Sequence, residues 1–377
     1  MRKIVIASDS YKGCLSSLEV ASAIAKGIKS VYPNCNIIQT SIADGGEGMV
    51  DAVIGNLGGY IVKLWVSDPL GRPINASYGI IDDGKTAVLE MSSASGLPLL
   101  SQAERNPMLT STVGTGELIM DAISKGCRRF CVGIGGSATN DAGIGMLSAL
   151  GFRFLGSDGK VVRPCGGSLG DIASIDTSSV PAEVLESEFL VACDVNTLFC
   201  GPAGAAYVFA PQKGADPEMV KTLDAGMDKF ANLVYSQMHK NIRNLEGAGA
   251  AGGLGGGFSA FLNARLMRGI DMVLDTIGFD ELIQGADLVI TGEGSIDNQT
   301  ALGKTPAGVL ARAARQNIPV IAFGGSVSHD ADTSGFAACF PILDAPVSLE
   351  QAMVKEYAAD NLTRTATQVM HLIKVFK

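Results

Sequence analysis

The sequence predicts an α/β protein with two domains: a doubly wound, parallel-sheet domain of Rossmann or flavodoxin type formed by both chain ends, and an inserted α/β domain with a mixed sheet. Three observations support this fold class. Apolar strand-like runs alternate with helical periodicity at both ends of the chain. Residues 60–91 alternate apolar and polar side chains around turn signals, which is typical of hairpins. The 377 residues are enough for about two domains.

The N-terminal segment predicts two successive strand–helix pairs. Residues 3–7 form an apolar strand, and Ser16 with Glu19 makes a capping box that begins a helix with apolar residues at helical spacing. A second strand is predicted at 36–42 and a second helix at 46–57. This alternation places the two strands side by side in a parallel sheet.

The C-terminal segment repeats the same alternation. Strands are predicted at 287–291 and 319–323, with a helix at 306–316 between them. A last strand is predicted at 340–343, and residues 349–376 are predicted to be largely helical.

Both ends of the chain are therefore expected to complete one sheet, while the hairpins between them belong to another. We expect domain boundaries near residues 62 and 284. Residues 1–62 and 285–377 then form the doubly wound domain, and residues 63–284 form the inserted domain.

Composition excludes several function classes. The net charge of −9, with no lysine or arginine cluster, argues against nucleic acid or an anionic membrane as the main partner. No apolar run is long enough to span a membrane, and the N-terminal run is too short for a signal peptide, so a cytoplasmic protein is expected. The three histidines lie in no motif, which argues against histidine-based catalysis. Glycine is enriched, with 47 residues in clusters.

Acidic residues and one lysine follow three of the predicted strands. They are Asp9 and Lys12 after the first strand, Asp44 and Glu47 after the second, and Glu293 and Asp297 after the strand at 287–291. The carboxyl ends of parallel strands share one edge of a sheet, so these side chains are expected to converge. A lysine among carboxylates, flanked by glycine amides, is how sites for Mg²⁺ and a nucleotide are built. The alternative for any single residue is an ordinary acidic turn.

The middle of the chain contains glycine-rich segments at 133–145 and 247–257. Glycines ahead of a helix leave backbone amides that can hold an anion, although tight helix packing is the alternative explanation. Asp194 follows a predicted strand at 189–192, and Gln212 and Lys213 lie in a further polar segment.

Two other function classes remain open. Gly133, Gly135 and Ala138 match a short dinucleotide fingerprint, which would suit a dinucleotide-dependent oxidoreductase. The pattern is weak in a chain so rich in glycine, and it leaves the three acidic loops unexplained. A non-catalytic sugar-acid-binding protein is the second alternative, but it has no need of convergent carboxylates and a lysine.

Taken in order, these motifs resemble the bacterial glycerate kinase family, of the glycerate 2-kinase type. The matching stretches are DSYKGCLSS, ADGGEGMVDA, GTGELI, GIGGSATNDAGIGMLSALG, ACDVN, PQKGA, GAGAAGGLGGG and LVITGEGSIDNQTALGKTP, which run from residue 9 to about residue 306. The resemblance implies ATP and Mg²⁺ as cofactors and D-glycerate as substrate, with 2-phosphoglycerate the favoured product. It also implies an active site in the cleft between two α/β domains.

Carried onto this sequence, the resemblance supports a set of site residues. Lys12 is interpreted as a contact to the transferred phosphate, Asp194 as the general base, and Asp44, a catalytic residue, as a Mg²⁺ ligand with Glu293 and Asp297. Substrate or nucleotide binding is expected at Asp9, Ser10, Gly45, Gly46, Glu47, Gly135, Gly136, Ser137, Asn140, Asp141, Gln212, Lys213, Gly252 and Gly253. Ser295 stands where many family members have arginine. The phosphorylated hydroxyl, the ligand of each glycine loop and the oligomeric state stay open.

Overall fold

The chain forms two compact units in a computed structural model that describes residues 1–81, 83–298, 300 and 304–376. Unit 1 comprises Met1–Asp44, Gly55–Leu57 and Val273–Lys377, and unit 2 comprises Gly45–Ile54 and Gly58–Met272. The boundaries near residues 62 and 284, as limits of independently folding domains, stay predictions.

Strands and helices alternate along most of the chain. Up to Asp176 they are β1 (Lys3–Ser8), α1 (Ser17–Val31), β2 (Asn36–Ser41), α2 (Met49–Leu57), β3 (Gly59–Ser67), β4 (Pro73–Ile81), β5 (Thr86–Glu90), α3 (Ser92–Ser95), α4 (Val113–Ser124), β6 (Arg129–Gly133), α5 (Ile144–Ala149), β7 (Arg153–Gly156) and β8 (Ile172–Asp176).

The elements of the second half follow. They are α6 (Ala182–Leu185), β9 (Glu188–Ala192), α7 (Ala205–Phe209), α8 (Pro217–Met238), α9 (Ala250–Leu262), β10 (Arg265–Met267), α10 (Gly269–Thr276), α11 (Phe279–Leu282), β11 (Leu288–Ile296), α12 (Thr305–Arg315), β12 (Val320–Val327), β13 (Ala338–Pro341), α13 (Leu349–Ala352) and α14 (Lys355–Val375). Short 3₁₀ helices occur at Leu97–Leu99, Gln102–Glu104, Gly166–Asp171 and Pro211–Lys213. Among the described residues, no helix is both long and apolar enough to cross a membrane.

The sheet of unit 1 is parallel throughout its described strands, in the order β2-β1-β11-β12-β13. This confirms the predicted doubly wound sheet formed by both chain ends. The chain leaves β1 toward β2 on one side, while β11 lies on the other side of β1. The strand order therefore reverses between β1 and β11, and ligands of open α/β sheets bind at such a switch point.

Helix α1 covers this sheet together with α14, and its start confirms the predicted capping box. Glu19 N donates to Ser16 Oγ at 3.3 Å, and Ser16 N donates to Glu19 Oε2 at 2.8 Å. The two helices approach closely at Gly27: a Cβ atom there would lie 2.5 Å from the Thr363 carbonyl oxygen and 2.7 Å from Ala366 Cβ. Glycine at this position sets the distance between the two helices.

Unit 2 has a mixed sheet in the order β10-β9-β6-β5-β4-β3, which confirms the predicted sheet type. Strands β10, β9, β6 and β5 are parallel, and β5, β4 and β3 are antiparallel. The predicted hairpin is β3–β4, whose turn is held by Asp68: its Oδ1 accepts from Leu70 N and Arg72 N, each at 2.8 Å. The core includes the stacked rings of Phe130 and Phe189, with centroids 4.8 Å apart.

Two predicted boundaries are wrong by several residues. Strand β11 does not end at Thr291 but continues to Ile296, because β12 extends beside it and pairs Ser295 with Ser326. Helix α2 begins at Met49 instead of residue 46, because Gly48 has a left-handed backbone with φ of 88°. Glu293 therefore lies within a strand, and the glycines that precede α2 lie in a loop.

We predict that Gly27→Ala lowers the free energy of unfolding by about 1–3 kcal/mol, because the added methyl group meets backbone and Cβ atoms of α14. The matched control is Gly55→Ala in α2, where a Cβ atom would meet nothing within 4 Å. That change should leave stability unaltered or raise it by up to about 1 kcal/mol, since alanine is the better helix former. Urea unfolding followed by circular dichroism measures both, and equal effects of the two variants would contradict the packing argument.

Candidate active site

In unit 1, the predicted acidic residues meet at the switch point between β1 and β11. Asp9 directly follows β1, and its N–H donates to the Gly292 carbonyl oxygen at 2.9 Å, which places it beside Glu293. A cavity of about 390 Å³ opens here, and its polar lining consists of Asp9, Ser10, Lys12, Asp44, Glu293, Ser295, Lys304 and Ser326. Of the predicted residues, the structure brings together Asp9, Lys12, Asp44 and Glu293 in this cavity. Asp297 does not line it, and Glu47 belongs to unit 2.

Asp9 is held rigidly and is nearly buried, with 6% of its surface exposed. Its Oδ1 accepts from Ser10 N at 2.6 Å, and its Oδ2 accepts from Thr305 Oγ1 at 2.9 Å. Burial and, next, the negative charge of Asp44 raise the pKa of Asp9, while its hydrogen bonds and Lys12 oppose that shift. The carboxylate is thus fixed in direction and lies in a field that favours a nearby cation.

Glu293 is the second buried acid, with 8% of its surface exposed. Its Oε1 accepts from Thr300 Oγ1 at 2.5 Å, and the same hydroxyl accepts from Asp297 N at 3.0 Å. Burial is the main reason that the pKa of Glu293 is raised, and the charges of Asp9 and Asp297 add to it. Thr300 therefore ties two of the predicted Mg²⁺ ligands together.

Two lysines supply positive charge to this cluster. Lys12 Nζ lies 3.7 Å from Asp44 Oδ2, and Lys304 Nζ lies 3.9 Å from Asp297 Oδ1. Sequence reasoning missed Lys304, together with Thr300 and Thr305. A lysine followed by Thr-Pro at a helix start is the signal that could have identified Lys304, which is the N-cap residue of α12. Residues 299 and 301–303 of the same motif lie outside the described residues.

The donor set of unit 1 suits a divalent cation shared with phosphate better than a cation held by protein alone. Within residues 1–81, 83–298, 300 and 304–376, no three His, Cys, Asp or Glu side chains form a group that could hold a metal ion. Asp44, Glu293 and Asp297 are thus not assembled into a three-ligand site. Mg²⁺ commonly uses one or two carboxylates, several waters and substrate phosphates, and the raised pKa values of Asp9 and Glu293 show where such a charge would be favourable.

In unit 2, the long loop after β6 carries the predicted glycines and serine. Gly135 and Gly136 are exposed, whereas Ser137 is buried together with the residues that follow it. Helix α5 begins only at Ile144, so the glycines do not form a tight strand-to-helix turn. The dinucleotide fingerprint therefore lacks the structural context that a nicotinamide or flavin cofactor requires.

Lys213 lies beneath this loop and is almost completely buried, with 1% of its surface exposed. Its Nζ donates to Ser137 Oγ at 2.7 Å and to the Thr139 carbonyl oxygen at 2.6 Å. Burial lowers the pKa of Lys213 to about 7, and the charge of Asp141 opposes that shift. The neighbouring Gln212 is exposed. Lys213 therefore fixes the Ser137 hydroxyl and brings a titrating group under the exposed glycines.

Asp141 and Asn140, both predicted to bind ligands, support the loop from inside. Asp141 Oδ2 accepts from Thr112 N and Thr112 Oγ1, each at 2.8 Å, and from Gly145 N at 3.2 Å. Burial raises the pKa of Asp141, and these hydrogen bonds oppose the shift. Asn140 is buried too, and its Nδ2 donates to Met227 Sδ at 3.2 Å. Both residues thus make contacts within the fold that support the loop, and their contact with a ligand stays a prediction.

The structure favours the packing explanation for Gly252 and Gly253. Both have left-handed backbones, with φ of 71° and 91°. A Cβ atom on Gly252 would lie 2.1 Å from the Thr139 carbonyl oxygen, and one on Gly253 would lie 2.9 Å from Ala142 Cα. The Gly252 carbonyl accepts from Ala142 N at 3.0 Å. These glycines join α9 to the 133–143 loop and are buried.

Asp194 follows β9 as predicted and is exposed. Its Oδ1 accepts from Gly269 N at 2.9 Å, which orients the carboxylate. Gly45 lies beside the same strand end, since a Cβ atom on it would be 2.8 Å from Ala192 Cβ and 2.5 Å from Gly269 Cα. Glycine at position 45 allows this close approach.

The loop that contains Gly46 and the exposed Glu47 leads into α2, whose start is already capped by an acid. Glu90, at the end of β5, accepts from Val50 N at 3.1 Å, and burial raises its pKa. A carboxylate at this position satisfies the helix N-terminus that a phosphate would otherwise use. Sequence reasoning missed Glu90, which is the last residue of an apolar strand. Any contact of this loop with a ligand is therefore expected to come from side chains such as Glu47, and not from the amides at the start of α2.

Comparison with known proteins gives one consistent result. Residues 4–374 match the model of the glycerate kinase family. The chain is 46% identical to a glycerate kinase of Bacillus subtilis (strain 168), over 100% of this chain and 98% of that protein. It is 42% identical to a glycerate 2-kinase of Escherichia coli (strain K12), over 97% of each chain. A crystal structure described as that of a glycerate kinase 2 from Salmonella typhimurium LT2 superposes with a TM-score of 0.92 at 43% identity, covering 99% of this chain and 98% of that one.

We predict that Lys213 makes the protein less stable near pH 7 than at higher pH. The unfolded chain keeps this lysine protonated up to about its usual pKa of 10.5, whereas the folded state releases the proton near 7. The unfolded state binds more protons between these values, so the free energy of unfolding should rise with pH, by about 2 kcal/mol from pH 7 to pH 9.

Lys213→Met should remove that rise, while the exposed Lys221→Met in α8 should keep it. Urea unfolding of the three proteins across this pH range measures the difference. Parallel pH profiles for wild type and Lys213→Met would show that Lys213 does not titrate in this way.

Proposed function

The chain belongs to the glycerate kinase family, and we propose that it transfers the γ-phosphoryl group of ATP to the 2-hydroxyl of D-glycerate, forming 2-phosphoglycerate and ADP. The observation that carries this proposal is the cluster of two buried acids, further carboxylates and two lysines at the switch point of a parallel sheet. Phosphoryl transfer requires mainly alignment, charge neutralisation and a proton acceptor, and these side chains can supply the first two.

The phosphates are proposed to bind in unit 1. Lys12 is exposed and its contact with Asp44 is long, so its ammonium group can turn to a phosphate oxygen without leaving a buried partner. Asp44, Glu293 and Asp297 are the proposed ligands of Mg²⁺, which when bound would neutralise phosphate charge. The Asp9 carboxylate accepts hydrogen bonds from Ser10 N and Thr305 Oγ1 and would orient the groups around the ion.

The glycerate is proposed to contact unit 2. Gly135 and Gly136 present exposed backbone, and the Ser137 hydroxyl next to them is held by Lys213, an arrangement that suits the carboxylate of the substrate. Asp194 is the proposed general base for the glycerate hydroxyl. Its hydrogen bond from Gly269 N fixes its direction, which a proton acceptor needs. The cleft between two domains, expected from the sequence resemblance, stays a prediction.

We predict that the purified protein consumes ATP only when D-glycerate and Mg²⁺ are both present, as followed by ADP release in a coupled assay. Lys12→Ala should reduce kcat by about 100-fold or more, because a phosphate contact made in the transition state is lost. The control is Lys26→Ala, an exposed lysine of α1 outside the cavity, which should keep full activity. Full turnover in excess chelator, or an active Lys12→Ala, would contradict these roles.

We predict that Asp194→Asn reduces kcat by about 10²–10⁴-fold, the range typical of a lost general base. The asparagine oxygen can still accept from Gly269 N, so the melting temperature and the affinity for MgADP should stay near those of wild type. A loss of MgADP affinity would assign Asp194 to the metal instead. Near-normal turnover with a lower melting temperature would assign it to the turn.

A further inference from the structure

The cavity of unit 1 has an apolar half that phosphates and Mg²⁺ do not explain. Besides the acids, the lysines, three serines and Tyr11, its lining includes apolar side chains and one thiol, at Cys14, Ile342, Leu343, Leu349, Ala352 and Met353. Leu349 and Met353 are 77% and 38% exposed, respectively, so this apolar surface is open to solvent. Such a surface next to a charged cluster is typical of a ligand site with one polar and one apolar end.

The topology of the sheet sets the distance between the two ends. Asp9 follows β1, while Ile342 and Leu343 follow β13, and β11 and β12 lie between these strands. Three strand spacings amount to about 14 Å along the carboxyl edge of the sheet. This span suits an extended nucleotide, with its phosphates at one end and its base at the other.

The wall of the apolar half is formed by a tight turn on one side and a short helix on the other. The turn after β1 is closed by Tyr11 N, which donates to the Leu15 carbonyl oxygen at 2.8 Å. Gly13, in this turn, has a φ of 75°, and a Cβ atom on it would lie 3.2 Å from Met353 Cε. Met353, at the end of α13, thus lies over the turn and limits the width of the cavity.

We propose that the apolar half holds the base of the nucleotide, with α13 and Met353 against the ring and the phosphates at Lys12 and Lys304. This inference rests on the proposed function, because it takes ATP as one of the two substrates. Of the three carbons of glycerate, one is the carboxylate carbon and each of the other two carries a hydroxyl, so glycerate has no apolar part that could use this surface. A nucleotide base has a flat ring that gains by leaving water.

The test is equilibrium binding of two ligands, MgADP and Mg-tripolyphosphate, measured by titration calorimetry. Ala352→Phe should fill the apolar half and weaken MgADP binding by about tenfold or more, while the affinity for tripolyphosphate changes less than about twofold. Met353→Ala removes the wall without adding bulk and should also weaken MgADP alone. The matched control is Gln351→Phe, a neighbouring exposed position that does not line the cavity, and it should change neither affinity.

The inference is overturned if Ala352→Phe and Met353→Ala bind MgADP as wild type does, or if both ligands weaken together. It is also overturned if wild type binds tripolyphosphate as tightly as MgADP, since the base then contributes nothing. Failure of the proposed function looks different: wild type would bind MgADP, with Ala352→Phe defective, yet transfer no phosphate to glycerate. Conversely, an active glycerate kinase with normal MgADP binding in both variants would keep the function and remove the base site.

Discussion

Two carboxylates, Asp9 and Glu293, are buried next to each other at the carboxyl edge of a parallel sheet, and the organisation of unit 1 follows from that constraint. Buried acids of like charge are costly unless they are hydrogen-bonded and faced by cations. The hydroxyls of Thr305, the first residue of α12, and of Thr300 supply the hydrogen bonds. The fold therefore keeps two carboxylates close together, and a bound ligand that carries positive charge would relieve their repulsion.

Unit 2 buries a lysine, Lys213, in addition to an acid, Asp141. Lys213 is enclosed beneath the 133–143 loop, and its two hydrogen bonds go to a hydroxyl and a carbonyl. The charge of Asp141 acts on Lys213, and the Asp141 carboxylate accepts from Gly143 N in this loop, from Gly145 N in α5 and from Thr112. The exposed Gly135 and Gly136 thus lie on a rigid base, and the charge of that base depends on pH.

The sequence predicted the architecture better than it predicted the contacts of individual polar residues. The apolar periodicity of strands and helices was enough to predict the parallel sheet of unit 1 and the mixed sheet of unit 2, because that periodicity is a property of neighbouring residues. The acids after β1 and β2 were found for the same reason. Burial is not a local property, so the sequence could not show that Asp141, Gly252 and Gly253 have close contacts within the fold. Their contacts with a ligand stay predictions. Glu90 was missed because its partner Val50 lies 40 residues away in sequence. Thr300 and Lys304 were missed although their partners, Glu293 and Asp297, are each only seven residues away.

The insertion of unit 2 has a consequence for how the chain is made. The pairing of β1 with β11 joins residues 284 positions apart, as in the Thr291–Ala7 hydrogen bond, so the sheet of unit 1 cannot close until nearly the whole chain has been synthesised. All the strands of the unit 2 sheet are encoded before β11. On the ribosome, unit 2 can therefore fold while the apolar β1 still lacks one of its two neighbours, β11. During that interval the edge of β1 that pairs with β11 is open to aggregation, and the speed of C-terminal synthesis sets how long the interval lasts.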